Sequence, residues 1–220
     1  MATKLNEFTP AEMRSAMIDS QLRPSKVSDA RVIAAMRSVP REKFVPAALT
    51  SVAYMDRPVA LNASRQLNAP LVTGLMLVHA DVQLAERVLL IGAGTGYVAA
   101  LLAHLGAQVV ALEEDADLAA VAPEAAKTDA IQWVVGPLNQ GVADKGSYSL
   151  IIIDGAIEEL PAAIIDQLAD GGRLITARKE GAVDRLVSGV KSGGSLSLYR
   201  FADMDVAPIA GFEAPKTFTF

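Results

Sequence analysis

The strongest constraint in this chain is residues 88–97, Val-Leu-Leu-Ile-Gly-Ala-Gly-Thr-Gly-Tyr. Four consecutive apolar residues suit a strand buried on both faces of a parallel sheet. Three glycines at alternate positions then break the run, and an Ala- and Leu-rich stretch of helical composition follows. Glycine belongs where the backbone must turn with φ above zero or lie bare against a neighbour. The N–H groups and dipole at the start of the next helix favour an electron-rich ligand in front of that turn.

The same alternation continues downstream. Strands are expected at Arg87–Ile91, 108–112, Ile131–Val135, 149–153 and 173–176, with helices at 97–105, 119–126 and 161–168. Such a pattern predicts a doubly wound, mostly parallel α/β sheet that places ligands at the carboxyl ends of its strands. After Thr176 the pattern changes. Gly193-Gly194 reads as a turn, and strands at 196–201 and 217–220 are expected to form an antiparallel C-terminal edge. Ahead of the sheet, Thr9-Pro10-Ala11-Glu12 is a capping box. Ser28 is expected to cap a second helix that stops before Pro40. Residues 39–46 are expected to be extended and 71–80 helical. Together these predict one domain, a helical and loop cap over residues 1–80 on a core of 81–220.

Composition narrows the chemistry. At 220 residues and 51% hydrophobic content, one core can bury about 70% of the unfolded surface. Cysteine is absent, so no disulfide frame or thiolate chemistry exists, and no metal site is expected. The two histidines, His79 and His104, sit in apolar helical stretches and read as core or helix surface. A net charge of −5 argues against nucleic acid as a partner. No apolar run approaches the ~18 residues of a membrane span, and the start of the chain lacks the form of a signal peptide. The expectation is a cytoplasmic protein without membrane or nucleic-acid partners, a monomer or weak dimer.

The glycine spacing is G-x-G-x-G. A dinucleotide fingerprint would place its last glycine at 97, where this chain has Tyr97. The shorter form is that of S-adenosylmethionine (SAM) methyltransferases. Glu113 lies 21 positions after Gly92, at the tip of the second core strand, where a carboxylate accepts the ribose hydroxyls of an adenosine group. Glu114 and Asp115 beside it also read as an acidic helix start. Loops at 136–141 and 154–156 would flank the adenine and the methionine part. Arg65 and Asn68, ahead of the 71–80 helix, can meet a small anionic group.

At these residues the chain resembles the protein-L-isoaspartate O-methyltransferase family. The features that carry the resemblance are Asp29-Ala30-Arg31-Val32, Val39-Pro40-Arg41-Glu42, Phe44-Val45-Pro46, Ala53-Tyr54 with Asp56, and Ala69-Pro70. To them are added Val88-Leu89 with residues 91–97, then 153–156, Pro161, Gln167-Leu168 and Gly171-Gly172-Arg173-Leu174. The resemblance implies a Rossmann-like SAM methyltransferase fold and methyl transfer from SAM to the α-carboxylate of L-isoaspartyl residues in damaged proteins. It implies cofactor contacts from Gly92, Ala93, Gly94, Thr95, Gly96, Tyr97, Glu113, Glu114, Gly136 and Asp154. Asn68 and Arg65 are the candidate catalytic residues, with isoaspartyl peptides or proteins as partners. A carboxylate acceptor is already ionised at pH 7, so no general base is required. The chain departs from the family at three positions. Asn68 replaces a hydroxyl residue, Leu90 replaces an acid, and Pro137 replaces the aspartate of a Gly-Asp pair. A different methyl acceptor, or an interaction protein that has lost SAM, are the alternative readings.

Overall fold

In the computed structural model, which describes residues 8–126 and 128–214, the chain enters on a helix fixed by its own side chains. Thr9 caps α1 (Pro10–Met17) reciprocally with Glu12, whose carboxylate accepts the Thr9 N–H at 2.7 Å. A π-helical turn, Ile18–Leu22, continues it. The helix α2 (Ala30–Ser38) is capped by Asp29 and not by Ser28, because Asp29 Oδ1 accepts from the N–H groups of both Arg31 and Val32. The segment that follows is not extended. Pro40 and Pro46 each open a 3-10 turn, Arg41–Phe44 and Ala47–Val52. An antiparallel ribbon of β1 (Val59–Ala60) and β2 (Gln66–Leu67) then leads into α3 (Pro70–Ala80).

The core alternates β3 (Arg87–Ile91), α4 (Tyr97–His104), β4 (Gln108–Glu113), α5 (Ala116–Ala125) and β5 (Ile131–Val135). It continues with β6 (Tyr148–Ile157), α6 (Ala162–Asp166), β7 (Leu168–Glu180), β8 (Val183–Ser192) and β9 (Ser195–Met204). The seven strands lie in the order β5-β4-β3-β6-β7-β8-β9. Pairs from β5 through β7 are parallel, and β7–β8–β9 are antiparallel. Strand order reverses between β3 and β6, which opens the ligand crevice above the β3 carboxyl end.

The antiparallel edge is built differently from the expectation. It is β8 with β9, and 217–220 lies outside the described residues. Expected strand 173–176 is the middle of a much longer β7, which turns at Gly181 into β8. The strand β8 gives little signal in the sequence because its only buried side chains are those of Leu186 and Val187, set among Asp184, Arg185 and Lys191. Half-wet antiparallel strands carry a weak apolar signal.

Alternate residues of β3 feed two cores. Val88 and Leu90 join Met17, Phe44, Val72 and Leu101 on the cap side. Leu89 and Ile91 join Leu112, Ile153 and Phe212 on the other. Each such side chain contributes roughly 1.5–3 kcal/mol when fully buried, so one strand ties both layers together. Leu90 lies in register between Ala111 and Ile152, inside apolar surroundings. His79 stacks on Phe201 with ring centroids 3.8 Å apart, a packing role. Among the described residues no helix is long and apolar enough to cross a membrane, and no group of three potential metal ligands occurs.

Candidate active site

The turn after β3 closes on the tip of β4. Gly92 and Ala93 donate their N–H groups to the Leu112 carbonyl at 2.9 and 3.0 Å. One step further, Gly94 donates to Glu113 Oε2 at 2.6 Å. The other oxygen of Glu113 accepts from the N–H groups of Glu114 at 3.0 Å and Asp115 at 3.2 Å. Glu113 is fully buried, so these bonds fix both its place and its rotamer. Asp115 caps α5, taking the N–H groups of Asp117 and Leu118. The reading of the acidic pair as a helix start therefore describes Asp115. Glu114 carries a carboxyl raised by burial first and by the neighbouring Glu113 charge second. The N–H of Gly136 goes to the Glu113 carbonyl, and Pro137 leads a 3-10 turn beside it.

A cation completes this cluster. Arg65, at the end of the β1–β2 loop, places Nη2 3.1 Å from Glu113 Oε2, and its side chain is only 5% exposed. A Cβ built on Gly92, at φ +79, would lie 2.8 Å from that nitrogen and 2.4 Å from Ile209 Cδ1. Bare backbone at Gly92 is thus covered by two side-chain tips. At Gly96, φ +94, Trp133 packs in the same way, its ring lying 2.9 Å from a Cβ built there. Thr95 Oγ1 donates to the Phe44 carbonyl at 2.6 Å, which fastens the turn to the cap.

Asn68 is fully buried and faces the end of β6. Its Nδ2 donates to Asp154 Oδ1 at 2.8 Å and to the Asp154 carbonyl at 3.3 Å. Its Oδ1 accepts from the Ala207 N–H at 2.8 Å. The amide thus joins the cap loop, β6 and the C-terminal segment. Ala207 and Ile209 run alongside Ala156 in turn, bonded at 2.9 and 3.3 Å. Arg41 lies behind Asn68, donating from Nη2 to the Asn68 carbonyl at 2.6 Å and from Nε to the Ala53 carbonyl at 2.7 Å. Its guanidinium also covers the Tyr97 ring, 5.0 Å from the centroid.

Burial raises the Asp154 carboxyl above its ordinary value, against the Asn68 hydrogen bond and the charges of Arg65 and Arg41. An acid raised by folding holds a proton that the unfolded chain has lost. Stability therefore falls as pH rises from about 3.9 toward the folded value. Asp154→Asn keeps an acceptor for Asn68 and removes that slope. Urea unfolding across pH should find the variant more stable than the parent above the window, with the two drawing closer in acid. Parallel curves would contradict the assignment.

The protein-L-isoaspartate(D-aspartate) O-methyltransferase family matches the chain over residues 12–211. The chain belongs to that family. The protein-L-isoaspartate O-methyltransferase of Methanoculleus marisnigri is 37% identical to it over 201 residues, 90% of this chain and 91% of its own. That of Koribacter versatilis is 35% identical over 201 residues, 90% of each. Among solved structures, one protein-L-isoaspartate O-methyltransferase superposes with a TM-score of 0.77 at 21% identity, covering 92% of this chain and 66% of its own. A Plasmodium falciparum beta-aspartate methyltransferase in complex with S-adenosyl-L-homocysteine gives 0.77 at 22% identity, covering 92% and 98%. The fold is accordingly the Rossmann-like methyltransferase fold, with its antiparallel edge.

The frame of this methyltransferase fits an adenosyl group. A carboxylate stands at the tip of β4, a glycine turn faces it, and the atoms crowding Gly92 are the movable ends of Arg65 and Ile209 rather than backbone. Three residues lining this region carry no site signal of their own in the sequence. Arg41 stands within the motif Val39-Pro40-Arg41-Glu42, and Ala207 and Ile209 lie outside every motif. The apolar run Val206-Ala207-Pro208-Ile209 after an edge strand was the available signal for the last two.

Proposed function

We propose that Glu113 and the 92–96 turn hold the cofactor of this methyltransferase, and that the junction of Asn68, Asp154 and Ala207 frames the acceptor. The reaction is that of the family, methyl transfer from SAM to the carboxylate of an L-isoaspartyl residue, the opening step of protein repair. SAM, when bound, supplies an electrophilic methyl group on a sulfonium. Glu113 takes a ribose hydroxyl on Oε2, with its orientation set by the Gly94 N–H. Asp154 borders the acceptor side through its bond to Asn68. No side chain needs to remove a proton, because the acceptor carboxylate is ionised at neutral pH. An anion and a sulfonium combine into neutral products, so the protein's task is alignment and exclusion of water.

The observation that carries this reading is Glu113, fully buried at a strand tip and gripped by the glycine turn. Incubation with labelled SAM and matched isoaspartyl and aspartyl peptides tests it. Label on the isoaspartyl peptide alone is expected, while label on neither, or equally on both, would rule the acceptor out. One observation favours a different acceptor as the second reading. Asn68, standing where the family has a hydroxyl, spends its amide on Asp154 and Ala207. Under that reading Asn68→Ser gains isoaspartyl methylation that the parent lacks.

A further inference from the structure

We propose that Arg65 is an internal competitor for the ribose seat: the ribbon carrying it is a lid whose guanidinium occupies Glu113 until a nucleoside displaces it. The proposal rests on Glu113 being the ribose-binding carboxylate.

An ionised carboxylate offers about four acceptor directions. On Glu113 they are taken by Gly94, Glu114, Asp115 and Arg65. The first three are main-chain donors of the turn and of the α5 entrance, so they cannot leave without dismantling the site. Arg65 alone comes from a separate element and can withdraw. Its tip also covers Gly92 together with Ile209, and Leu61 from the same ribbon lies 3.1 Å from a Cβ built on Gly94. The lid thus fills the space in front of two of the turn's three glycines.

The base of the ribbon is anchored, with Val59 and Leu67 buried in the core, and its tip at 62–65 is the part that moves. Asn62 Oδ1 accepts from the N–H groups of Ser64 at 2.9 Å and Arg65 at 2.8 Å, bracing the tip internally. Outward, Asn62 Nδ2 makes an exposed bond of 2.7 Å to Asp115 Oδ2. Solvent competes with such a bond, so it restrains opening weakly. The closed pair is also imperfect, since Arg65 Nε is buried without a hydrogen-bond partner. A ligand whose site is open in only a fraction of molecules binds with an apparent affinity reduced by that fraction. The lid thus sets cofactor affinity through a residue that never touches the reacting atoms.

Calorimetric titration of the full chain with SAM tests this, comparing the parent with Arg65→Gln and Arg65→Lys. Arg65→Gln is expected to bind about tenfold more tightly, as for a site closed in roughly nine molecules of ten. Arg65→Lys, which keeps a cation but gives up the planar fork, should bind several-fold more tightly. It carries the test if the glutamine variant fails to melt cooperatively. Equal or weaker binding by the folded variants, with the parent binding SAM, overturns the lid while leaving the Glu113 reading intact. Absence of heat from parent and variants alike at millimolar SAM removes the Glu113 reading and the lid with it.

Discussion

Glu113→Gln should cost about 3–5 kcal/mol of stability and about a hundredfold in affinity for SAM. The two losses share one cause. The carboxylate accepts three main-chain N–H groups and a guanidinium, with both oxygens engaged. A carboxamide accepts on one side only. Its NH2 must then face either Gly94 and Arg65 or Glu114 and Asp115, donors in both cases. The buried Arg65 also loses its counter-charge, and an uncompensated buried charge is what makes removal of one ion-pair partner so damaging. The opposite substitution should be far milder. Arg65→Gln leaves Glu113 with three N–H donors, so a loss of about 1–2 kcal/mol is expected. Urea unfolding of the two variants, with the slope unchanged, measures this asymmetry. Equal losses would mean that the pair, and not the web of N–H groups, holds the carboxylate.

That asymmetry also explains which parts of the site the sequence made legible. The β3 run and its alternate glycines announce themselves because their requirement is local: an apolar strand, then backbone at positive φ. Glu113 follows from them by chain length, since β4 must run parallel to β3 and end level with the turn. Arg65 is another matter. Its partner lies 48 residues away, and nothing around 62–68 encodes that the ribbon folds inward instead of displaying its arginine to an incoming anion. The same holds for Asn68, whose amide is consumed by residues 86 and 139 positions distant. Boundaries failed for chemical reasons that can be named. Ser28 and Asp29 are both competent caps, and only geometry shows that Asp29 reaches two N–H groups at once. Pro40 and Pro46 read as extending the chain, yet each initiates a 3-10 turn, and this tucks Arg41 inward.

Arg41→Met should destabilise the protein by about 2–5 kcal/mol, lowering the melting temperature by roughly 5–15 °C. Methionine can fill much of the volume, so packing is not the main loss. Arg41 is fully buried, and burial works against its charge; the Tyr97 and Asp154 side chains work for it. What the guanidinium gives in return is cross-linking. One nitrogen holds the Ala53 carbonyl and another holds the Asn68 carbonyl, while the plane covers Tyr97 at the entrance of α4. Three segments far apart in sequence are thereby fixed around one planar group. Without it both carbonyls lose a buried donor, at about 1–3 kcal/mol each. Arg41→Lys should recover only part of the loss, because an ammonium cannot span both carbonyls with the fork's geometry. The loss should reach the site as well as the fold, since the Asn68 carbonyl anchors the loop whose side chain fixes Asp154. A methionine variant within about 1 kcal/mol of the parent would show that the cap and the Asn68 loop hold their places without this arginine.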